Sequence, residues 1–374
     1  MYVKELHLTH YRNYESLSLQ FDPYIHLFIG DNAQGKTNLL ESLYVLALAK
    51  SHRTNKDKEW ISWEEGYTRL QGTVEKRHAT IPLELQISSK GKKARLNRIE
   101  QQKLSDYVGV LNVVMFAPED LEIVKGSPQV RRRFIDMELG QMSPHYLYQL
   151  TQYQKLLSQR NALLKQWDKR QQHRPMVDIF TEQLIEVAVK IIKKRAHFVQ
   201  QIEKWANEIH QGITEQKETL NVHYVLSTQM DDCTDEQEMT RTLSEKFDKI
   251  REQEEARGTT LVGPHRDDLQ FIVNGVNVHT YGSQGQQRTT SLALKLAEIE
   301  LIRKEVGEYP ILLLDDVLSE LDDQRRSHLL RAIQNKVQTF VTNTSLEGIH
   351  QSILDQSTVY RVQQGKITRM KEGS

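Results

Sequence analysis

The segment Gly30-Asp31-Asn32-Ala33-Gln34-Gly35-Lys36-Thr37 satisfies the pattern G-x-x-x-x-G-K-[ST], which ties a chain to a strand, a phosphate loop and a helix in that order. The glycines let backbone N–H groups curl around an anion, and the amino end of the following helix adds partial positive charge. Lys36 brings a full charge to the β and γ phosphates of a nucleotide. The flanks agree with this reading. Ile25-His26-Leu27-Phe28-Ile29 is a short buried-strand candidate, and Leu39, Leu40, Leu43, Tyr44 and Ala47 fall on one helical face. Gly30, Asp31, Asn32, Ala33, Gln34, Gly35, Lys36, Thr37 and Asn38 are therefore the expected nucleotide cradle, with Thr37 reaching a magnesium ion. The competing reading, a glycine turn that merely starts a helix, is disfavoured by those flanks.

Such a loop needs a buried strand that ends in a carboxylate. Tyr309-Pro310-Ile311-Leu312-Leu313-Leu314-Asp315-Asp316 fits, because a run of apolar residues suits a parallel strand covered on both faces, from which both aspartates emerge at the carboxyl end. Asp315 is the expected magnesium ligand and Asp316 the residue that orients the attacking water; with Lys36 they are the catalytic candidates. Asp316 is one methylene shorter than the glutamate commoner at this position, so slow turnover is expected. Between the two motifs, Ser283-Gln284-Gly285-Gln286-Gln287-Arg288 precedes a helix with apolar Leu292, Leu296 and Ile299. A serine, a glycine and N–H groups at a second helix amino end make a second anion site. One nucleotide uses two separate helix ends only if they meet across an interface. The segment resembles the ABC ATPase signature, in which two subunits sandwich ATP, so Ser283, Gln284, Gly285 and Gln286 are expected to act in trans. A polar helix cap is the alternative.

The 374 residues, at 43.7 kDa, suit a core plus a sizeable insertion. No stretch approaches the roughly 20 consecutive apolar residues of a membrane-spanning helix. The amino-terminal Met1-Tyr2-Val3-Lys4-Glu5 carries no signal-peptide pattern, and the lone Cys233 can close no intrachain disulfide, so a cytoplasmic location is expected. Fifty basic and fifty acidic residues cancel, which confines any nucleic-acid affinity to local patches. One cysteine also excludes cysteine-based zinc sites and leaves hard, oxygen-liganded metals.

Three segments organise the chain: residues 1–125 as the first part of an α/β ATPase core, 126–255 as a helical insertion, and 256–374 as the rest of the core. Val3 to Leu8, Leu17 to Phe21 and Thr80 to Ile87 alternate apolar with polar and predict a half-exposed antiparallel sheet. Helical spacing runs from Pro144 to Trp205, interrupted by a loop at Arg170-Gln171-Gln172-His173-Arg174-Pro175. A strand is predicted at Leu220 to Leu226, a polar loop at Asp231-Asp232-Cys233 and a charged helix from Asp235 to Glu255. From Thr259 the pattern becomes α/β.

With phosphate loop, signature and aspartates in that order, the chain resembles the RecF family of bacterial DNA repair proteins, relatives of the SMC ATPases. Tyr11-Arg12-Asn13-Tyr14, Phe116-Ala117-Pro118-Glu119-Asp120-Leu121, Arg131-Arg132-Arg133-Phe134-Ile135-Asp136, Val262-Gly263-Pro264-His265-Arg266-Asp267-Asp268 and Leu314 through Asp322 carry the match. The resemblance implies an ABC-type core with ATP and Mg2+, ATP-dependent dimerisation on gapped or single-strand/double-strand junction DNA, weak DNA-stimulated ATP hydrolysis, and work with RecR and RecO in loading RecA. It also implies a nucleoid-associated, cytoplasmic setting. Ser319-Glu320-Leu321-Asp322 matches the loop that touches the opposing site. Thr339-Phe340-Val341-Thr342-Asn343-Thr344-Ser345 offers no switch histidine, so a threonine or asparagine is left to sense the γ phosphate. The His265 segment reads as a site loop or as a turn entering a strand, and Arg12 as a nucleotide contact or a sheet-edge residue. Lys90, Lys92, Lys93, Arg95 and Arg98, and Lys190, Lys193, Lys194 and Arg195, are basic patches suited to phosphates without base readout, or simply solvated faces. The rival functional readings are the cytoplasmic ATPase cassette of a transporter, and a DNA-binding scaffold whose ATP is structural.

Overall fold

The computed structural model describes residues 1–166, 174–228, 233–319, 321–333, 336–346 and 351–370. It separates into two compact units, the first made of Met1–Asp120, Gly212–Gln216 and Ser291–Ser374, the second of Leu121–Gln211 and Lys217–Thr290.

The first unit contains two sheets. One is antiparallel: β1 (Tyr2–Tyr11), β2 (Tyr14–Gln20), β4 (Tyr67–Glu75), β5 (Thr80–Ser88), β6 (Gly91–Leu96) and β7 (Ile99–Glu100) lie in the order β2-β1-β4-β5-β6-β7. Leu6, Leu8, Leu70, Val74, Leu83, Leu85 and Ile87 are buried while their chain neighbours face out, the period-two pattern expected of these strands. The other sheet takes the order β15-β14-β3-β13-β12-β8, from β3 (Ile25–Ile29), β8 (Val113–Phe116), β12 (Ile311–Asp315), β13 (Thr339–Asn343), β14 (Ser357–Gln363) and β15 (Lys366–Arg369). Its pairings are parallel except for the β14–β15 hairpin. Every residue of β12 is buried, as its apolar run predicts. Helix α1 (Lys36–Leu48) packs against strands of both sheets, so it is buried almost all round rather than on the single face its spacing predicts. Two further helices, α9 (Asp323–Ile333) and α10 (Gln351–Leu354), belong to this unit.

The second unit is mainly helical: α2 (Leu121–Lys125), α3 (Pro128–Met142), α4 (Pro144–Lys165), α5 (Arg174–Ile213), α6 (Glu236–Arg257) and the short α7 (Val278–Tyr281). Of the predicted loop at 170–175, residues 170–173 lie outside the described residues, and Arg174 and Pro175 already belong to α5. Asp231 and Asp232 also lie outside them. Asp235 caps α6, accepting from the N–H groups of Gln237 (2.8 Å) and Glu238 (3.3 Å). A small sheet, β9 (Leu220–Val225), β10 (Asp268–Val273) and β11 (Val276–Asn277), completes the unit. The stretch 256–290, expected with the ATPase core, groups here instead, because β10 pairs antiparallel with β9 along its whole length. The unit also starts at Leu121 rather than at 126. Helix α8 (Gln284–Val306) begins in this unit and ends in the first.

Candidate functional site

The loop between β3 and α1 has the backbone that glycine permits. Gly30 sits at φ 155° and Gly35 at φ 117°, and Ala33 takes the left-handed region at φ 63°. A β-carbon on Gly35 would lie 2.6 Å from Asn13 Nδ2 and 3.0 Å from the Tyr14 hydroxyl. Gly35 caps α1 without a side-chain bond, which leaves the helix amino end to whatever occupies the loop. The Tyr14 hydroxyl donates to Gly35 O (2.9 Å), Asn13 Nδ2 donates to Gln34 O (3.2 Å), and Asn38 Nδ2 donates to Asn13 Oδ1 (2.8 Å). Asp31, Asn32 and Ala33 face outward. Lys36 is buried and curls back on the loop, its ammonium donating to the carbonyls of Gly30 (2.6 Å) and Asp31 (2.9 Å).

Asp315, at the carboxyl end of β12, is 6% exposed. Its Oδ1 accepts from Thr37 Oγ1 (3.0 Å) and from Thr342 Oγ1 (2.7 Å). Burial raises its pKa from the ordinary aspartate value; the two hydroxyls oppose that shift, and the charges of Asp316 and Glu119 add to it. Asp316 follows in the left-handed region at φ 53°, its N–H donating to Thr342 Oγ1 (3.0 Å). One threonine on β13 thus braces both aspartates. The sequence named Thr342 only as one of several sensing candidates and did not see this bond; Asn343 turns to Ser345 O instead (2.8 Å). A cradle of glycine backbone, an ammonium held at its centre, and a desolvated carboxylate beside a threonine hydroxyl form a donor set that fits a nucleotide triphosphate with a hard divalent cation.

Arg12 makes an internal brace within the first unit. Its guanidinium forms a bidentate pair with Glu41 on α1 (2.9 and 2.8 Å), and Glu41 is fully buried. Arg12 and the Ser51 hydroxyl lower the Glu41 pKa against the effect of burial. Arg53 Nη1 reaches Asn38 Oδ1 on the first turn of the same helix (2.9 Å). Glu41, a charge in the middle of an apolar helix, was the signal in the sequence for this network.

In the second unit Ser283 and Gln286 make a reciprocal cap. Gln286 N–H donates to Ser283 Oγ (3.2 Å) and Ser283 N–H to Gln286 Oε1 (3.0 Å), while Gln286 Nε2 donates to Glu218 (2.9 Å). The cap reading of this segment therefore holds locally, and Ser283 and Gln284 remain solvent-facing. In the Ser319 to Asp322 loop, Glu320 and the Ser319 side chain lie outside the described residues. Leu321 is buried, and Asp322 Oδ1 accepts from Arg325 N–H at the start of α9 (2.9 Å).

The two arginine- and aspartate-rich motifs lock onto each other within the second unit. Arg131 pairs bidentately with Asp268 (2.7 and 2.9 Å), and Arg132 donates to Asp267 O (2.7 Å). His265 contacts the Tyr153 hydroxyl through Nδ1 (2.6 Å) and Thr260 O through Nε2 (3.2 Å), and burial lowers its pKa to about 4. This is a neutral structural histidine inside a packed turn. Arg195, grouped by sequence with a basic patch, is 2% exposed and bonds Asp136 (2.7 Å) and Pro264 O (2.6 Å). Lys190 and Lys193 line a cavity of about 970 Å3 with Lys194, His145, His197 and His223, and pair with Glu186 and Glu236. In the other patch Lys92 pairs with Asp57, Lys93 with Glu100, and Arg95 with Glu84 and Glu100.

Parallel sheet, phosphate loop and buried aspartate strand define a protein of the P-loop NTPase class. The family described as RecF/RecN/SMC N terminal domain matches residues 2–368. A curated relative from Bacillus velezensis, DNA replication and repair protein RecF, is 58% identical over 370 residues, spanning 99% of this chain and 100% of the relative. The protein of the same name from Bacillus subtilis is also 58% identical over 370 residues, with the same coverage. A solved structure of the recombination mediator protein RecF-ATP in the RecFOR pathway superposes with a TM-score of 0.92 at 32% identity, over 99% of this chain and 98% of that one. An Smc head domain from Pyrococcus furiosus, 15% identical with a TM-score of 0.54 over 99% of this chain and 96% of that one, shares the fold. The chain belongs to the RecF family of DNA replication and repair proteins. That membership takes the place of the transporter-cassette reading. Among the described residues no helix is long and apolar enough to cross a membrane.

Proposed function

We propose that the protein is an ATP-switched DNA-binding ATPase of recombinational repair and replication restart. The observation that carries this reading is the meeting of Thr37, Asp315 and Thr342 at the loop's helix. Gly30 through Asn38 hold the nucleotide phosphates, with Lys36 as the cation among them. Thr37 and Asp315 hold Mg2+, and Asp316 orients the attacking water. Bound ATP with Mg2+ supplies a γ-phosphoryl group and the charge that ADP lacks. Ser283, Gln284, Gly285 and Gln286 reach the ATP of a second copy, so ATP closes a homodimer and hydrolysis reopens it. Hydrolysis is weak, because Asp316 is shorter than the glutamate usual at that place, and it is stimulated by DNA. The closed dimer favours gapped DNA and single-strand/double-strand junctions and helps load RecA with RecO and RecR, in the nucleoid-containing cytoplasm. Lysines such as Lys194 contact phosphates without reading bases.

Sedimentation with ATP, without nucleotide and with gapped DNA tests the switch. Lys36→Met should abolish hydrolysis and weaken ATP binding. Ser283→Arg should bind ATP nearly normally, yet neither dimerise nor hydrolyse it. Mixing the two variants creates one composite site with an intact loop and an intact signature, and some activity should return. Wild-type dimerisation and hydrolysis by Ser283→Arg alone would overturn the trans assignment.

A further inference from the structure

We propose that the β14–β15 turn, Gln364-Gly365, is a positioning element for the phosphate loop. This rests on the reading of Gly30 through Asn38 as the ATP site. Gln363 pairs with Lys366, which leaves a two-residue turn whose residues both lie at positive φ, 48° and 73°. That is the geometry of a tight type I′ hairpin, with its two amides presented outward. Both amides go to a single residue of the loop. Gln364 N–H donates to Gln34 Oε1 (2.8 Å) and Gly365 N–H donates to Gln34 O (3.1 Å). The hairpin also passes close to the first glycine, since a β-carbon on Gly30 would lie 2.3 Å from Val362 O. A β-carbon on Gly365 would lie 2.5 Å from Asn13 O, and Asn13 itself donates to Gln34 O.

Gln34 therefore does not aim its side chain at a ligand, as its place in the cradle suggested. Its amide oxygen and its carbonyl are both turned onto the hairpin. A trans peptide is planar, so its C=O and N–H point in opposite directions. Holding the Gln34 carbonyl toward Gly365 and Asn13 turns the Gly35 N–H away from them, into the loop where an anion is bound. The carboxyl-terminal hairpin thus sets one of the loop's amide donors before nucleotide arrives, and lowers the reorganisation needed for binding.

The test compares full-length Gly365→Ala and Gln34→Met with wild type and with Gly91→Ala. Gly91 also lies at positive φ, 110°, but a β-carbon there meets nothing within 4 Å, so alanine there strains the backbone at least as much without touching the loop. Equilibrium ATP binding, apo unfolding temperature, and KM and kcat for ATP are measured for each. Gly365→Ala should weaken ATP binding about tenfold, the loss of one well-oriented hydrogen bond to a charged group. Gln34→Met should weaken it less, and both should raise KM more than they lower kcat. Gly91→Ala should bind ATP like wild type. Wild-type ATP affinity in both Gly365→Ala and Gln34→Met would overturn the proposal, and Gln34→Met alone decides if Gly365→Ala does not fold. Failure of wild type itself to bind ATP would instead overturn the reading of the loop on which the proposal stands.

Discussion

Thr342→Val isolates the bond that the tertiary structure adds to the aspartate strand. The side chain is fully buried, so no solvent can replace its hydroxyl. The substitution keeps the shape and removes a donor to Asp315 Oδ1 at 2.7 Å and an acceptor for Asp316 N–H at 3.0 Å. A hydrogen bond to a charged group contributes about 1.5–3 kcal/mol, and an ordinary one about 0.5–1.5 kcal/mol. Because the carboxylate keeps its bond from Thr37, the combined loss should fall in the lower part of the summed range, about 2–3 kcal/mol. Part of it should appear in unfolding and part at the cation site. If roughly 1.4 kcal/mol falls on the cation, the Mg2+ concentration for half-maximal ATP hydrolysis rises about tenfold. The hydroxyl also holds down the pKa of Asp315, so its removal should move the acidic limb of the activity profile to higher pH. Thr342→Ser retains the oxygen and should recover most of both effects. The assay is Mg2+-dependent ATP hydrolysis on DNA with thermal unfolding of each variant. A Thr342→Val protein with wild-type stability and Mg2+ dependence would refute the reasoning.

Asp315→Asn should make the nucleotide-free protein more stable at neutral pH while removing stabilisation by Mg2+ and ATP. The folded pKa of Asp315 is raised, so the native state binds its proton more tightly than the unfolded chain, and stability falls as pH climbs through that window. The stability gap between variant and wild type should close at acid pH, which a pH series of denaturant titrations measures. Asp316→Asn should keep ATP binding but lose turnover, leaving a persistent closed dimer in sedimentation; a variant that stays monomeric where wild type dimerises counts against it. His265 is neutral in the native state with a pKa near 4 against an ordinary 6.5, so the unfolded chain binds more protons between those values. Stability should drop by about 3 kcal/mol as pH falls across that interval, and His265→Asn should flatten the drop, so an unchanged acid profile in the variant would count against a buried neutral histidine.

What could be read from the residues alone was what local chemistry decides. The glycine spacing around Lys36 and the apolar run into Asp315 impose their backbones whatever surrounds them, and the alternating strands of the first sheet carry their burial pattern in period two. Cap and turn chemistry at Asp235 and Ser283 is equally local. Helical phase explains one miss: Lys190, Lys193 and Lys194 share a face, but position 195 is turned about 100° further and reaches the buried side, where Asp136 waits. The remaining contacts depend on which segments the fold brings together. Thr37 and Asp315 are separated by 278 residues, Thr342 and Asp315 by 27, and Gln34 and Gln364 by 330. No periodicity registers such pairs, because each partner alone is an ordinary polar residue. They become a braced carboxylate and a set loop only when parallel pairing puts β3, β13 and β12 side by side and the β14–β15 hairpin closes over the glycines.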